Sequence, residues 1–293
     1  MRQPLPVLVL GCVLAAGGSL SAAGPAPQAQ SKLERIPTAR PPAVSPPSPI
    51  GVEVDVYCTG WLQDEPDEFP ATIVSAELVD SKDSFFQGDI VYLGAGSTTG
   101  LAAGQEFWIV RPGRTVYRWG SITDSIGHID STPGRLRILC AQEEAAIGEI
   151  TLSCSDIRVG DAVVPFDPIP IPLVRRTAPA TSCDPSTGKV TGHVVDTYDH
   201  ATPIAGTSVI YLDIGEMDGV VPGDFFTVYR YPTNVTTQVT LGEATPGPRT
   251  SAYDSIRTIL GEAAILTTRK TTSVAIITSM RDTMYVGDIV EMK

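Results

Sequence analysis

The chain has 293 residues and a formal net charge of −12, and that charge is unevenly placed. Residues 51–174 carry nineteen acids against seven bases, residues 175–293 thirteen against ten, and neither half has a basic stripe. A nucleic-acid phosphate backbone is thereby excluded as the natural partner, while an acidic surface suits solubility and, secondarily, basic or divalent-cation partners.

Residues 1–23 read as an export signal. Arg2 supplies a minimal positive start, Leu5 to Ala16 is apolar but too short to span a bilayer, and Ser21-Ala22-Ala23 offers a small-residue cleavage site. Lipid attachment at Cys12 is the alternative, disfavoured because the apolar run continues past it. No later segment has the apolar length of a membrane span, so the mature chain is expected to be exported and not transmembrane. Its place is the periplasm, the outer-membrane surface or the extracellular space. Residues 24–50 follow with eight prolines between Gly24 and Pro49, a composition that builds a semi-rigid tether rather than a core.

From there the chain says nearly the same thing twice. Val91–Arg111 aligns without a gap on Ile210–Arg230 at a shift of 119, and Gly134, Ile138, Ile150 and Val159-Gly160-Asp161 recur at Gly261, Ile265, Ile277 and Val286-Gly287-Asp288 at a shift of 127. Repeats of this length are tandem domains, since each can close its own core. Short β-branched runs punctuated by glycine predict strands near 73–78, 89–93, 107–111, 136–141, 148–152 and 162–164. The second copy predicts them near 190–196, 208–212, 225–230, 263–267, 275–279 and 289–292. No stretch keeps a helical apolar period. The expected fold is all-β, with two homologous small barrel or sandwich modules at 51–165 and 183–293. They are joined by a proline-rich connector at 166–182, whose Phe166, Ile169, Ile171 and Leu173 are apolar enough to dock. Gly96/Gly215, Gly100/Gly219 and Gly104/Gly223 are expected at positive φ.

Four cysteines remain after signal removal: Cys58, Cys140, Cys154 and Cys183. A hairpin turning at Glu143-Glu144 would hold Cys140 and Cys154 roughly 20 Å apart at ~3.3 Å per residue, far beyond the ~7 Å that a disulfide allows. Cys58 therefore pairs with one hairpin cysteine, or none pair. In the second case Cys140 lies on the core face with Leu136 and Ile138, and Cys154 with Ile150 and Leu152.

The run Tyr-Leu-x-x-Gly-x-x-x-Gly-Val-x-x-Gly-Asp-x-Phe-x-Val-x-Arg, closed by a hairpin and Val-Gly-Asp, resembles the C-terminal module of flagellar assembly protein T. It is similar, too, to β modules that accompany LysM domains in exported bacterial proteins. The resemblance covers each copy and implies a non-catalytic module of the cell envelope; no LysM sequence is present, and no residue is inherited as catalytic.

Candidate chemistry is sparse. His193 and His200 flank Asp196 and Asp199, which would need a bend to form a metal cluster. Asp213, Glu216 and Asp218 have loose calcium-loop spacing. The equivalent loop at 94–100 has no carboxylate yet should fold alike, so neither a metal nor another cofactor is expected. The longest inter-strand connections, Pro112–Pro133 and Tyr231–Pro248, occupy equivalent places and diverge between copies, as recognition loops do. In the first, Tyr117, Trp119 and Ile126 are the binding candidates. The expectation is a non-catalytic exported binding or scaffold protein whose partner is an envelope protein or glycan. One alternative is an envelope-polymer hydrolase using Asp64, Glu65, Asp67 and Glu68, which would need two acids at ~5–9 Å across a cleft. The other is a subunit of an extracellular or surface assembly.

Overall fold

The computed structural model describes residues 46–64, 68–77, 80–175, 178–231 and 256–293. In chain order the elements are β1 (Ser48–Pro49), α1 (Glu53–Tyr57), β2 (Trp61–Gln63), β3 (Ala71–Ala76), β4 (Ile90–Leu93), β5 (Glu106–Arg111), β6 (Thr115–Tyr117), β7 (Ser125–Ala141), β8 (Ala146–Ser153), β9 (Ala162–Pro165) and β10 (Leu173–Val174). The second half adds β11 (Thr191–Thr197), β12 (Val209–Leu212), β13 (Phe225–Arg230), β14 (Thr258–Thr268), β15 (Ser273–Met280) and β16 (Ile289–Met292).

Two barrels account for the duplication. β3-β4-β8-β7-β5-β9 closes on itself through antiparallel pairs, and β11-β12-β15-β14-β13-β16 closes in the same order. Every predicted strand is present. Register agrees to the residue: Phe107 faces Leu136 and Pro165, while Phe226 faces Ala263 and Met292, each partner displaced by 127. Bulges recur as well, between Ile73 and Ser75 as between Val194 and Asp196, and between Ile138 and Cys140 as between Ile265 and Thr267. Each barrel fills itself with one face of its strands. Ile73, Leu93, Ile109, Leu136 and Ile150 fill the first, and Val194, Leu212, Val228, Ala263 and Ile277 the second.

Two expectations need correction. Gly100, Gly104, Gly219 and Gly223 have φ between +80 and +98, but Gly96 and Gly215 do not. These two sit at φ −137 and −150 and are glycine for space, because a Cβ would lie 2.2 Å from the Gln142 carbonyl or 2.4 Å from that of Arg269. Cys140 is exposed rather than on the core face, because the bulge at Leu139 reverses the alternation after Ile138. Short helical turns occur beside the strands: α1, whose Asp55 carboxylate accepts the Val52 N–H at 2.8 Å, and single 3-10 turns at Ser97–Thr99 and Glu216–Asp218. Five residues are too few to show a helical period in sequence.

The first connection, 112–133, is no loop. The N-terminal part of β7 pairs with β6 on one side and β2 on the other, forming a three-stranded extension of the first barrel. Pro133, with no N–H to give, marks the place where β7 passes from extension to barrel. The corresponding second-copy connection, Tyr231–Pro248, lies outside the described residues beyond Tyr231. Cys58, at the end of α1, is bonded to Cys154 at the end of β8, with Cα atoms 5.4 Å apart. That bond straps α1 and β2 to the first barrel.

Candidate functional site

The best-defined site is the seam where this extension meets the second barrel. Val56 of α1, Leu62 of β2, Val116 of β6 and Ile126 and Ile129 of β7 form one buried cluster with Val195, Val209, Tyr211, Leu266, Val274 and Ile276 of the second barrel. Connector residues Ile169 and Ile171 pack at its margin, and Phe166 packs on Trp108, centroids 4.7 Å apart. Leu173 stays exposed, its strand pairing with Ser48–Pro49. The Tyr211 hydroxyl donates to the Thr59 carbonyl at 2.6 Å, and the Thr272 hydroxyl donates to the Leu62 carbonyl. Buried aliphatic side chains contribute about 1.5–3 kcal/mol each. The ion pairs at its edge each join a half-exposed arginine to a buried aspartate, so the apolar cluster holds the seam and the charges orient it.

Those charges sit at one margin. Arg114 pairs with Asp196, and Arg118 approaches Asp213 at 3.8 Å. His193 donates its backbone N–H to Asp213 at 2.6 Å and sets its ring Nδ1 3.3 Å from the same carboxylate. That hydrogen bond raises the His193 pKa above its ordinary value, against the opposing pull of burial. Asp213 is pushed up by burial but lowered more by its bonds with His193, and its net shift is downward. His200 behaves oppositely. Burial and the nearby Arg114 cation lower its pKa, and Arg114 Nη2 lies 2.7 Å from its Nδ1, a geometry that needs a neutral ring accepting the bond. The His-Asp segment is therefore a polar seam in which His193 is partnered by Asp213 and His200 by Arg114. Among the described residues no three His, Cys, Asp or Glu side chains gather as metal ligands.

Three openings border the seam, one of about 460 Å³ lying between residues 54–59 and 207–209. Another cleft of about 460 Å³ is lined by Trp61, Trp108, Glu68, Asp167, Thr268 and Arg269, with the Arg269 guanidinium 4.6 Å above the Trp61 ring. The third, of about 300 Å³, is lined by Arg114, Tyr117, Asp196 and His200.

The sequence candidates fall on both sides of this boundary. Tyr117 is exposed at the smaller opening. Trp119 is half exposed, with its ring directly over Gly287 of the second barrel. Ile126 is buried in the seam, so it cannot be offered to a partner; its place in a strand rather than a loop is the reason. Cys140 and Cys183 are exposed thiols. Of the four hydrolase candidates, Glu65 and Asp67 lie outside the described residues, and Glu68 borders the Trp61 cleft. The calcium-loop acids have structural partners: Asp218 accepts the Gly215 N–H of its own turn at 2.9 Å, Glu216 accepts the Thr268 hydroxyl of β14 at 3.1 Å, and Asp213 accepts the His193 N–H. Sequence reading missed the seam. Its one legible trace was the wholly apolar pattern of Val209, Tyr211, Val274 and Ile276, whose faces a solvated barrel would leave polar. No family model matches the chain, and no curated protein matches it either.

Proposed function

We propose that the protein is an exported, non-catalytic binding and scaffold component of the cell envelope. The observation that carries this reading is the seam: the outer face of the second barrel is built to receive another β element. Docking is thus a property of the module itself. The Cys58–Cys154 bond suits an oxidising compartment outside the cytoplasm, in line with the leader-like first 23 residues and the proline-rich tether of 24–50. Buried carboxylates are engaged structurally, as in Asp161 with Arg111, Asp288 with Arg230 and Glu291 with Arg257. The partner class is an envelope protein or glycan, met at the exposed Tyr117 ring beside the Arg114–Asp196 pair. Capture of envelope components by the mature protein, compared with Tyr117→Ala, tests the reading: loss of capture by a folded variant supports it. Release of sugar or peptide fragments from purified envelope polymer by the protein alone would overturn it in favour of hydrolysis.

A further inference from the structure

The cleft beside Trp61 is walled by charges of both signs. Glu68, just before β3, and Asp167, just after β9, bring carboxylates to it from the side of the first barrel. Arg269, in the turn between β14 and β15, brings a guanidinium from the second barrel. Trp61, Trp108, Val164 and Ile169 give the same cleft an apolar lining. Among the described residues neither carboxylate pairs with a cation, and Arg269 pairs with no carboxylate but rests on the Trp61 ring. Trp61 is 7% exposed, and its indole N–H has no acceptor among those residues. Buried donors are seldom left so. The duplication shows, further, that the turn does not need its arginine. The first-barrel counterpart, displaced by 127, is Gln142, and its backbone is held in the same way. The Gln142 carbonyl accepts the Ser97 N–H at 2.7 Å and its N–H donates to Ala145, just as Arg269 accepts from Glu216 at 2.9 Å and donates to Thr272. A charge that the turn does not require, presented on a backbone that the barrel fixes, suits a ligand contact.

We infer that this cleft binds a short peptide with both ends free, its carboxylate on Arg269 beside the Trp61 indole N–H and its ammonium on Glu68 and Asp167. An arginine fork matches a carboxylate with two parallel hydrogen bonds. An ammonium is a point charge with three donors, which two carboxylates can share. The apolar lining takes the carbon atoms between the two ends. A volume of about 460 Å³ falls within the range of about 300–1,000 Å³ that small-ligand sites occupy. A neutral glycan is the weaker occupant, because it would leave the charges of both walls uncompensated. The cleft shares no lining residue with the opening at Tyr117, so this site goes beyond the partner contact proposed above and stands apart from it.

Titration of the mature protein with trialanine, followed at the Trp61 indole N–H resonance, tests this. A saturable shift is expected, with a Kd of about 1 mM or tighter. Acetylating the amino end of the peptide, or amidating its carboxyl end, should each weaken binding by about tenfold or more, and added salt should weaken it too. Two variants then divide the charges between the walls. Arg269→Gln, the side chain that the first barrel carries at this turn, should bind free and amidated trialanine alike while still discriminating against the acetylated form. Glu68→Gln/Asp167→Asn should do the reverse. All three positions are exposed, and unchanged melting confirms that the variants fold. No saturable shift at ten times the expected Kd overturns the proposal. So does binding that is indifferent to both caps, or a variant that keeps the preference assigned to its missing charge. A saturable shift with diacetylchitobiose, a neutral disaccharide, at equal strength in wild type and variants would overturn it in favour of a glycan. Tyr117→Ala should leave the trialanine titration unchanged, and a shift in its midpoint would place the peptide at the other opening and overturn the proposal. Loss of envelope capture by Tyr117→Ala bears on the earlier reading alone.

Discussion

Arg111 grips Asp161 with one edge of its guanidinium, Nε to Oδ1 at 2.7 Å and Nη2 to Oδ2 at 2.8 Å, and Arg230 grips Asp288 in the same way at 2.6 and 2.8 Å. Each aspartate also accepts a backbone N–H three residues upstream, from Arg158 or Tyr285, and each arginine donates to a second carbonyl, of Asp156 or Thr283. The clamp joins the end of β5 or β13 to the turn before β9 or β16. This explains why the Arg and the Val-Gly-Asp triplet recur together. The aspartates are buried and the arginines partly exposed, so replacing Arg111 or Arg230 with Met leaves a buried carboxylate with only its turn. The expected cost is about 1.5–3 kcal/mol in urea unfolding. Lysine should rescue little, since it cannot bind both oxygens from one planar edge.

Glycine substitutions should separate two mechanisms within one loop. Gly100 and Gly219 have φ +89 and +80 with open space at the Cβ position. Valine there is expected to cost about 1–3 kcal/mol through backbone strain alone. Alanine at Gly96 meets no such strain, but its Cβ would strike the Gln142 carbonyl. It should displace the turn between β7 and β8 and be visible as local amide-shift changes at Gln142–Ala145.

Gly100 and Gly96 also show what was legible in the sequence. Spacing located every barrel strand and both turns, because period-two burial and glycine punctuation are local signals. It could not tell a glycine required for φ from one required for clearance, since clearance depends on a carbonyl more than forty residues away. Leu139 and Leu266 occupy one aligned position, and nothing within their own strands says that one is covered and the other is not. Ile126 misled for a related reason. Its strand pairs with Trp61–Gln63 and Thr115–Tyr117, and neither short partner has a period of its own to read.

Thiol counting on the mature protein under denaturing, non-reducing conditions is expected to find two free cysteines, Cys140 and Cys183. Replacing Cys58 and Cys154 with Ser should lower stability by about 2–4 kcal/mol, because the bond closes a long loop. The loss should be greatest at the seam, where Val56 depends on the strap. Hydrogen exchange rising at α1 and β14 before it rises in the first barrel core would show this.

The seam histidines should give opposite pH slopes. His193 has a raised pKa in the folded protein, so its contribution is present below an unfolded value of about 6.5 and fades as pH rises through the folded value. His200 is lowered, so its contribution is present above about 6.5 and fades as pH falls through its folded value. Both rings are partly exposed, and the effects are correspondingly modest. Denaturation midpoints between pH 5 and 8 should show His193→Gln flattening the alkaline decline and His200→Gln flattening the acid one. Parallel slopes in the two variants would contradict the assigned hydrogen bonds.

Gly160 and Gly287 provide a matched measure of the Trp119 contact. They are equivalent in the two barrels, with φ +98 and +97, so alanine pays the same backbone penalty at each. Their surroundings differ: nothing lies within 4 Å of the Gly160 Cβ position, whereas the Trp119 ring lies 2.3 Å from that of Gly287. Gly287→Ala should therefore destabilise more than Gly160→Ala, and the excess should vanish in a Trp119→Ala background. A double-mutant cycle measures that coupling directly, with an interaction energy of about 0.5–3 kcal/mol expected for residues in contact. Tyr117→Ala, with its ring exposed, should leave melting nearly unchanged and affect only partner capture. Equal penalties at the two glycines, independent of Trp119, would show that this ring does not rest on the second barrel in solution. It would then be free to serve a partner, the role proposed for Tyr117.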